Sequence, residues 1–291
     1  MQIECVTKTP ALLGESPVWS VAEQALYWVD ITGKALHRFD PASGEDRDWP
    51  LPEEIGCVVP RRGGGLIVGL RHGIAFFDPA AGTLQRLVDP EADRPGNRFN
   101  DGTTDPAGRL WAGTMSMDLQ APEPKGTFYR FDPDRSCHAF FSGIFVCNGL
   151  AFSPDGRTMY LADTHASVRT IWACDYDLDD GVPTSRRVFV DTRDLPGRPD
   201  GGSCDADGCY WTAAIDGGQI IRFTPRGAVD RVIDLPVKTP TKAAFGGARL
   251  DTLYVTSLQR AGRRDLGRDA GALFAIHGVG VTGIEITPFA A

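Results

Sequence analysis

The sequence predicts an all-β chain folded as a six-bladed propeller, and three observations carry that expectation. A turn-and-strand unit recurs six times, its spacing suits four short strands per unit, and glycine and proline punctuate the whole length. A fixed period of roughly 40–50 residues is the signature of propeller blades.

The turn is of the Asp/Ser-Pro-x-Gly kind. It stands clearest at Asp105-Pro106-Ala107-Gly108 before Leu110-Trp111-Ala112, at Ser153-Pro154-Asp155-Gly156 before Met159-Tyr160-Leu161, and at Asp205-Ala206-Asp207-Gly208 before Tyr210-Trp211-Thr212. Weaker copies lie at residues 25–30, 64–69 and 251–256. With Tyr27, Ile67, Trp111, Tyr160, Trp211 and Tyr254 as markers, the spacings are 40, 44, 49, 51 and 43 residues. Each unit continues into a second alternating strand, as in Leu36-His37-Arg38-Phe39 and Phe128-Tyr129-Arg130-Phe131, and the last ends with Leu273-Phe274-Ala275-Ile276. Period-2 alternation bounded by Gly, Pro and Asp reads as strand and turn. With 34 glycines and 21 prolines spread evenly, no long helix and no linker is expected, so residues 1–291 read as one propeller domain. Closing six units into a ring removes most exposed sheet edge.

Composition narrows the function. At 42% hydrophobic and 23% charged residues, a large core forms without disulfides. A net charge of −8, with no basic run beyond 260–268, lacks the footprint of a nucleic-acid binder. Seven cysteines with no Cys-x-x-Cys pair argue against a zinc ribbon or a disulfide framework. The N-terminal residues lack a charged-then-apolar leader pattern, and no apolar run approaches the ~20 residues of a spanning helix. The expectation is a cytoplasmic protein with neither a nucleic-acid nor a membrane partner.

The first strand of each blade runs along the central channel, so residues at one offset in the repeats converge there. Eight residues before the turn glycine stand Asn100, Asn148 and Asp200, and the first unit places Glu15 at the same offset. The second and sixth units put Gly56 and Lys242 or Ala243 near it. Four oxygen-bearing side chains without thiolate or imidazole suit a divalent cation: Ca²⁺, Mg²⁺ or Mn²⁺, with Zn²⁺ and Fe²⁺ also accepted. Asn148-Gly149 and Asp200-Gly201 read equally well as plain turns, since Asn-Gly and Asp-Gly are common turn dipeptides. Four coincident offsets are harder to explain that way, and Glu15 before Ser16-Pro17 is poor turn chemistry.

The chain also resembles the senescence-marker-protein/regucalcin and gluconolactonase family of six-bladed propellers, nearly end to end. The resemblance rests on Gly14-Glu15-Ser16-Pro17-Val18-Trp19, Arg98-Phe99-Asn100-Asp101-Gly102, Asn148-Gly149-Leu150, Pro199-Asp200-Gly201 and Phe245-Gly246-Gly247. It implies Glu15, Asn148 and Asp200 as metal ligands, Arg98 and Asn100 as substrate-binding residues, and Asp118 as an acidic residue of a lid over the substrate. The segment 116–125 interrupts the strand pattern and suits such a lid or a solvated loop; its length and composition depart from the family.

Hydrolysis of a lactone, a cyclic ester, needs a polarised carbonyl, an activated water and a stabilised oxyanion. Asp200 is the expected catalytic base, Arg98 offers a planar fork of donors, and Asn100 offers a donor and an acceptor for sugar oxygens. No Gly-x-Ser-x-Gly elbow and no metal-binding His pair offers a competing chemistry. His165 follows Asp163-Thr164 at a strand end, and Cys147 and Cys204 flank the expected ligands in packing positions. The expected function is metal-dependent hydrolysis of an aldonolactone such as a glucono-, xylono- or arabinonolactone. The alternatives are a non-catalytic calcium-binding regulatory propeller and an organophosphate or aryl-ester hydrolase.

Overall fold

Six four-stranded antiparallel sheets arranged as propeller blades make up the computed structural model, which describes residues 1–7, 10–260 and 262–291. The first short strand, β1 (Gln2–Cys5), stands apart from the first blade. That blade holds β2 (Gly14–Ser20), β3 (Ala25–Asp30), β4 (Ala35–Asp40) and β5 (Glu45–Pro50). The second holds β6 (Ile55–Pro60), β7 (Leu66–Leu70), β8 (Gly73–Asp78) and β9 (Thr83–Val88), and the third β10 (Asn97–Thr104), β11 (Leu110–Ser116), β12 (Gly126–Phe131) and β13 (Cys137–Ile144). The fourth comprises β14 (Cys147–Phe152), β15 (Thr158–Asp163), β16 (Thr170–Asp177) and β17 (Val182–Asp191). The fifth comprises β18 (Arg198–Cys204), β19 (Tyr210–Ile215), β20 (Gln219–Phe223) and β21 (Val229–Asp234). The sixth has β22 (Pro240–Gly246), β23 (Thr252–Ser257) and β24 (Phe274–His277), with β1 pairing on β24 as its outer strand. The last blade is thus built from both ends of the chain.

Every sequence marker falls in the second strand of its blade and is buried. The turn glycines Gly108, Gly156 and Gly208 have φ of 86°, 67° and 80°, the left-handed region that favours glycine. Inner strands β2 and β10 are buried throughout, whereas outer strands such as β5 and β21 face solvent with most of their residues.

The apolar core lies between blades. One cluster joins Tyr27 and Val29 of the first blade to Val58 and Val68 of the second, another joins Trp211 to Phe245 and Phe274, and a third joins Trp19 and Trp28 to Tyr254. Similar clusters fill the other junctions. Each blade therefore covers the apolar face of the next, and the ring must close for all of them to be dry. Burying each large side chain stabilises by about 1.5–3 kcal/mol. The C-terminal segment crosses beneath the ring: Phe289 N donates to Pro60 O at 2.9 Å, Ala290 N to Gly108 O at 3.0 Å, and Ala206 N to Thr282 O at 2.9 Å.

The only helical element among the described residues is the 3-10 turn Arg264–Leu266. None of their helices is long and apolar enough to cross a membrane. The seven cysteines are free.

Candidate active site

The inner strands β2, β6, β10, β14, β18 and β22 each break register near the same level: between Glu15 and Val18, Ile55 and Cys57, Phe99 and Gly102, Asn148 and Ala151, Pro199 and Gly202, and Pro240 and Lys242. A bulge bends its strand and re-aims the side chain beside it. Asn148-Gly149 and Asp200-Gly201 are accordingly mid-strand bulges, and the plain-turn reading of those dipeptides does not hold. Ser16 sits buried at φ 49°, a costly conformation for a non-glycine residue, and its Oγ accepts Val58 N at 3.1 Å. That bond fixes the backbone next to Glu15.

Glu15, Asn148 and Asp200 are 6%, 1% and 4% exposed. Asn148 Nδ2 donates to the Asp200 carboxylate and, at 2.9 Å, to Thr164 Oγ1. Its carbonyl oxygen Oδ1 is buried without a hydrogen-bond partner. Glu15 accepts Ser16 N at 3.2 Å. Arg98 Nη1 donates to Phe99 O at 2.9 Å and to Asn100 Oδ1 at 2.7 Å, while Asn100 Nδ2 donates to Cys147 O at 3.0 Å. Asn100 thus ties β10 to β14 and holds the guanidinium, with both ends of its amide engaged by protein.

Desolvation first, and then repulsion from Asp101, lifts Glu15 from 4.5 to about 7, with Lys242 and Arg98 opposing. Desolvation and the charge of Glu15 raise Asp200 well above the carboxylate range. Arg98 drops to about 10 because burial disfavours its charge, although Glu15, Glu54 and Asp200 favour it. Two desolvated carboxylates beside an orphaned amide oxygen form a site short of positive charge. Such oxygen donors fit a hard divalent cation. Among the described residues no group of three His, Cys, Asp or Glu side chains is placed to hold a metal, so any cation here depends on the amide oxygens.

Blades two and six explain why the ring is lopsided. A Cβ on Gly56 would strike the Phe99 carbonyl and lie 2.7 Å from Asn100 N, so no side chain fits there. Blade six instead inserts Lys242, whose Nζ pairs with Asp101 Oδ1, both groups being buried. The sequence reading assigned neither residue a role. A lysine inside the strand Thr241-Lys242-Ala243-Ala244-Phe245 was the available signal, since a buried ammonium requires a partner.

Asp118 makes no hydrogen bond or ion pair with these groups among the described residues. It is exposed, its N–H meets Ser116 Oγ at 3.2 Å, and its Oδ1 accepts Gln120 N at 3.0 Å in a local turn. The loop 117–125 packs toward Phe145, Val146 and His165, and the His165 ring stacks on Phe145 at 4.2 Å. Burial drives the Cys147 and Cys204 thiols far above their ordinary range, which suits packing better than nucleophilic attack. Further along the channel a cavity of about 220 Å³ runs past Thr103, Phe152 and Lys242 to residues 284–287. Its lining is mainly apolar.

Fold and channel together define a regucalcin-like propeller. The chain belongs to the SMP-30/gluconolactonase/LRE-like family, whose model matches residues 13–259. It is 43% identical to a 6-deoxy-6-sulfogluconolactonase of Pseudomonas putida over 88% of this chain and 86% of that one. It is 36% identical to a pentonolactonase of Haloferax volcanii over 95% of this chain and 94% of that one. The crystal structure of a calcium-binding protein, regucalcin, from Agrobacterium tumefaciens superposes with a TM-score of 0.93 at 30% identity, over 99% of this chain and 97% of that one.

Proposed function

We propose that this chain hydrolyses a sugar lactone to its aldonic acid, using one divalent cation held by Glu15, Asn148 and Asp200. The observation that carries the reading is the buried, unpartnered Asn148 Oδ1 beside the desolvated carboxylate of Asp200. A cation bound there supplies a Lewis acid for the ester carbonyl. Arg98 presents Nε and Nη2, which meet no protein acceptor among the described residues, to the lactone oxygens. Asn100 keeps that guanidinium in place and has one carbonyl lone pair left for a sugar hydroxyl.

Asp200 is the assigned general base. Its carboxylate takes a proton from water as the water oxygen bonds to the carbonyl carbon. The ring C–O bond then breaks, and the departing oxygen takes up that proton as a hydroxyl, leaving the open-chain acid. Asp118 is assigned to the substrate side, on a loop that packs toward Val146 and His165. Two relatives named for sugar lactones support the substrate class, and a calcium-binding neighbour supports Ca²⁺ among the candidate ions. A binding-only propeller accounts for the oxygen set but leaves the buried Arg98 without a purpose.

The test is acid release from five- and six-carbon aldonolactones, including forms with an anionic group on carbon 6. Chelator-stripped protein is reloaded separately with Ca²⁺, Mg²⁺, Mn²⁺, Zn²⁺ or Fe²⁺. Ion-dependent turnover is expected. Calorimetric ion binding without turnover across the panel would favour the non-catalytic propeller.

A further inference from the structure

The geometry points to the Asp101–Lys242 ion pair as a positioning device that holds Asn100, Asn148 and Asp200 at one level in the channel, an inference that rests on the proposed lactonase site. Asp101 directly follows Asn100. Its Oδ1 pairs with Lys242 Nζ and its Oδ2 accepts Leu150 N at 2.8 Å, two residues beyond Asn148. The Lys242 stem lies over Gly201, next to Asp200; a Cβ there would collide with the first carbons of the stem and sit 2.7 Å from its Cδ. Adjacent Thr241 donates from Oγ1 to Gly14 O at 2.5 Å, and Gly14 precedes Glu15. Asp101 and Lys242 therefore reach the chain at or within two residues of Asn100, Asn148 and Asp200, adjacent Thr241 reaches the residue before Glu15, and blade six acts without contributing a ligand of its own.

The pair is 3% and 5% exposed, so it is poorly screened and its partners are hard to separate. Removing one partner leaves an uncompensated buried charge. Removing both leaves net charge unchanged and isolates the geometric role. Residues that orient ligands from behind change metal affinity or activity by about 10–100-fold when lost.

The experiment compares wild type with the double variant Asp101→Asn/Lys242→Met. Methionine keeps the apolar cover over Gly201, and asparagine keeps an acceptor for Leu150 N. Calorimetry with Mn²⁺ and Ca²⁺ on stripped protein is expected to show a dissociation constant about tenfold or more above wild type. On the lactone that wild type turns over, kcat is expected to fall about tenfold with KM within about threefold. A purely structural pair would lower the melting temperature and leave ion affinity and kcat alone, and that result overturns the inference. If the double variant does not fold, Asp101→Glu keeps both charges and displaces the carboxylate by one methylene. The same loss of affinity is expected from it, and wild-type affinity overturns the inference. Wild-type protein that binds neither ion and opens no lactone would instead overturn the lactonase reading, and the positioning role with it.

Discussion

Asn148 donates through Nδ2 to the Asp200 carboxylate, and its own carbonyl oxygen is left buried without a partner. An unsatisfied buried acceptor costs about 1–3 kcal/mol, so a fold that keeps one beside two desolvated carboxylates has a use for it. A cation there would satisfy all three groups at once.

Asp200→Asn removes the proposed base while preserving shape and an oxygen donor. General bases contribute about 10²–10⁴-fold, so kcat on the responsive lactone should fall at least about a hundredfold with the circular dichroism spectrum unchanged. Near-wild-type turnover after metal loading would eliminate Asp200 as the base.

Metal removal should invert the response of stability to pH. Glu15 is raised to about 7 and Asp200 well above its usual range in the metal-free fold, desolvation being the main cause. A raised folded-state value means folding favours the protonated form. That contribution is fully present below the unfolded value near 4.5 for Glu15 and is lost as pH rises through the folded one. Chelator-treated protein should therefore lose stability between about pH 4.5 and 7 from this source, whereas saturating cation should restore it at the upper end and release protons on binding. Thermal melts across that range, with and without ion, test the first claim. Calorimetry in buffers of different ionisation enthalpy tests the second. A stripped protein that becomes more stable through the same window would contradict the assignment of Glu15 and Asp200 as the dominant titrating pair.

Arg98 separates substrate binding from ion binding. Lysine at this position keeps a charge but loses the planar fork, so Arg98→Lys should raise KM about tenfold or more, in line with the ~1.5–3 kcal/mol of a charged hydrogen bond. Ion affinity should stay within a few-fold, because no ligand oxygen is removed. A calorimetric loss of ion affinity as large as the rise in KM would instead make Arg98 a brace for the ligands.

Much of this was legible because repetition amplifies weak signals. Gly108, Gly156 and Gly208 each require a left-handed turn, and their common spacing exposed the offset that gathers Asn100, Asn148 and Asp200. The strand β1 was not legible: Gln2–Cys5 is short and largely exposed, and its place in blade six depends on closure of the ring. The Asp101–Lys242 pair was hidden for the same reason, since 141 residues separate its members and only the closed ring brings them together. Asp118 sits in a loop whose local turn chemistry says nothing of the distance to the channel, so its assignment rests on the resemblance alone.

The C-terminal segment provides the last prediction. Phe289 is fully buried, with its ring 5.8 Å from Phe131 of the third blade and 6.1 Å from Phe76 of the second. Its backbone bonds to Pro60 and Arg62 on one side, and Ala290 bonds to Gly108 on the other. The segment therefore pins blades two and three together at the end of the channel away from Asn148 and Asp200. Phe289→Ala should cost about 3–5 kcal/mol, read from urea unfolding, because the cavity is walled by rigid strands that cannot collapse into it. Ion affinity and KM should hold at wild-type values, since the ring stacks on Phe76 and Phe131 and the backbone bonds Pro60 and Arg62, none of them a proposed ligand. A variant as stable as wild type would mean that the blade junction repacks without the ring, whereas a large loss of ion affinity would show that the far end of the channel controls the spacing of Asn100 and Asn148 on adjacent inner strands.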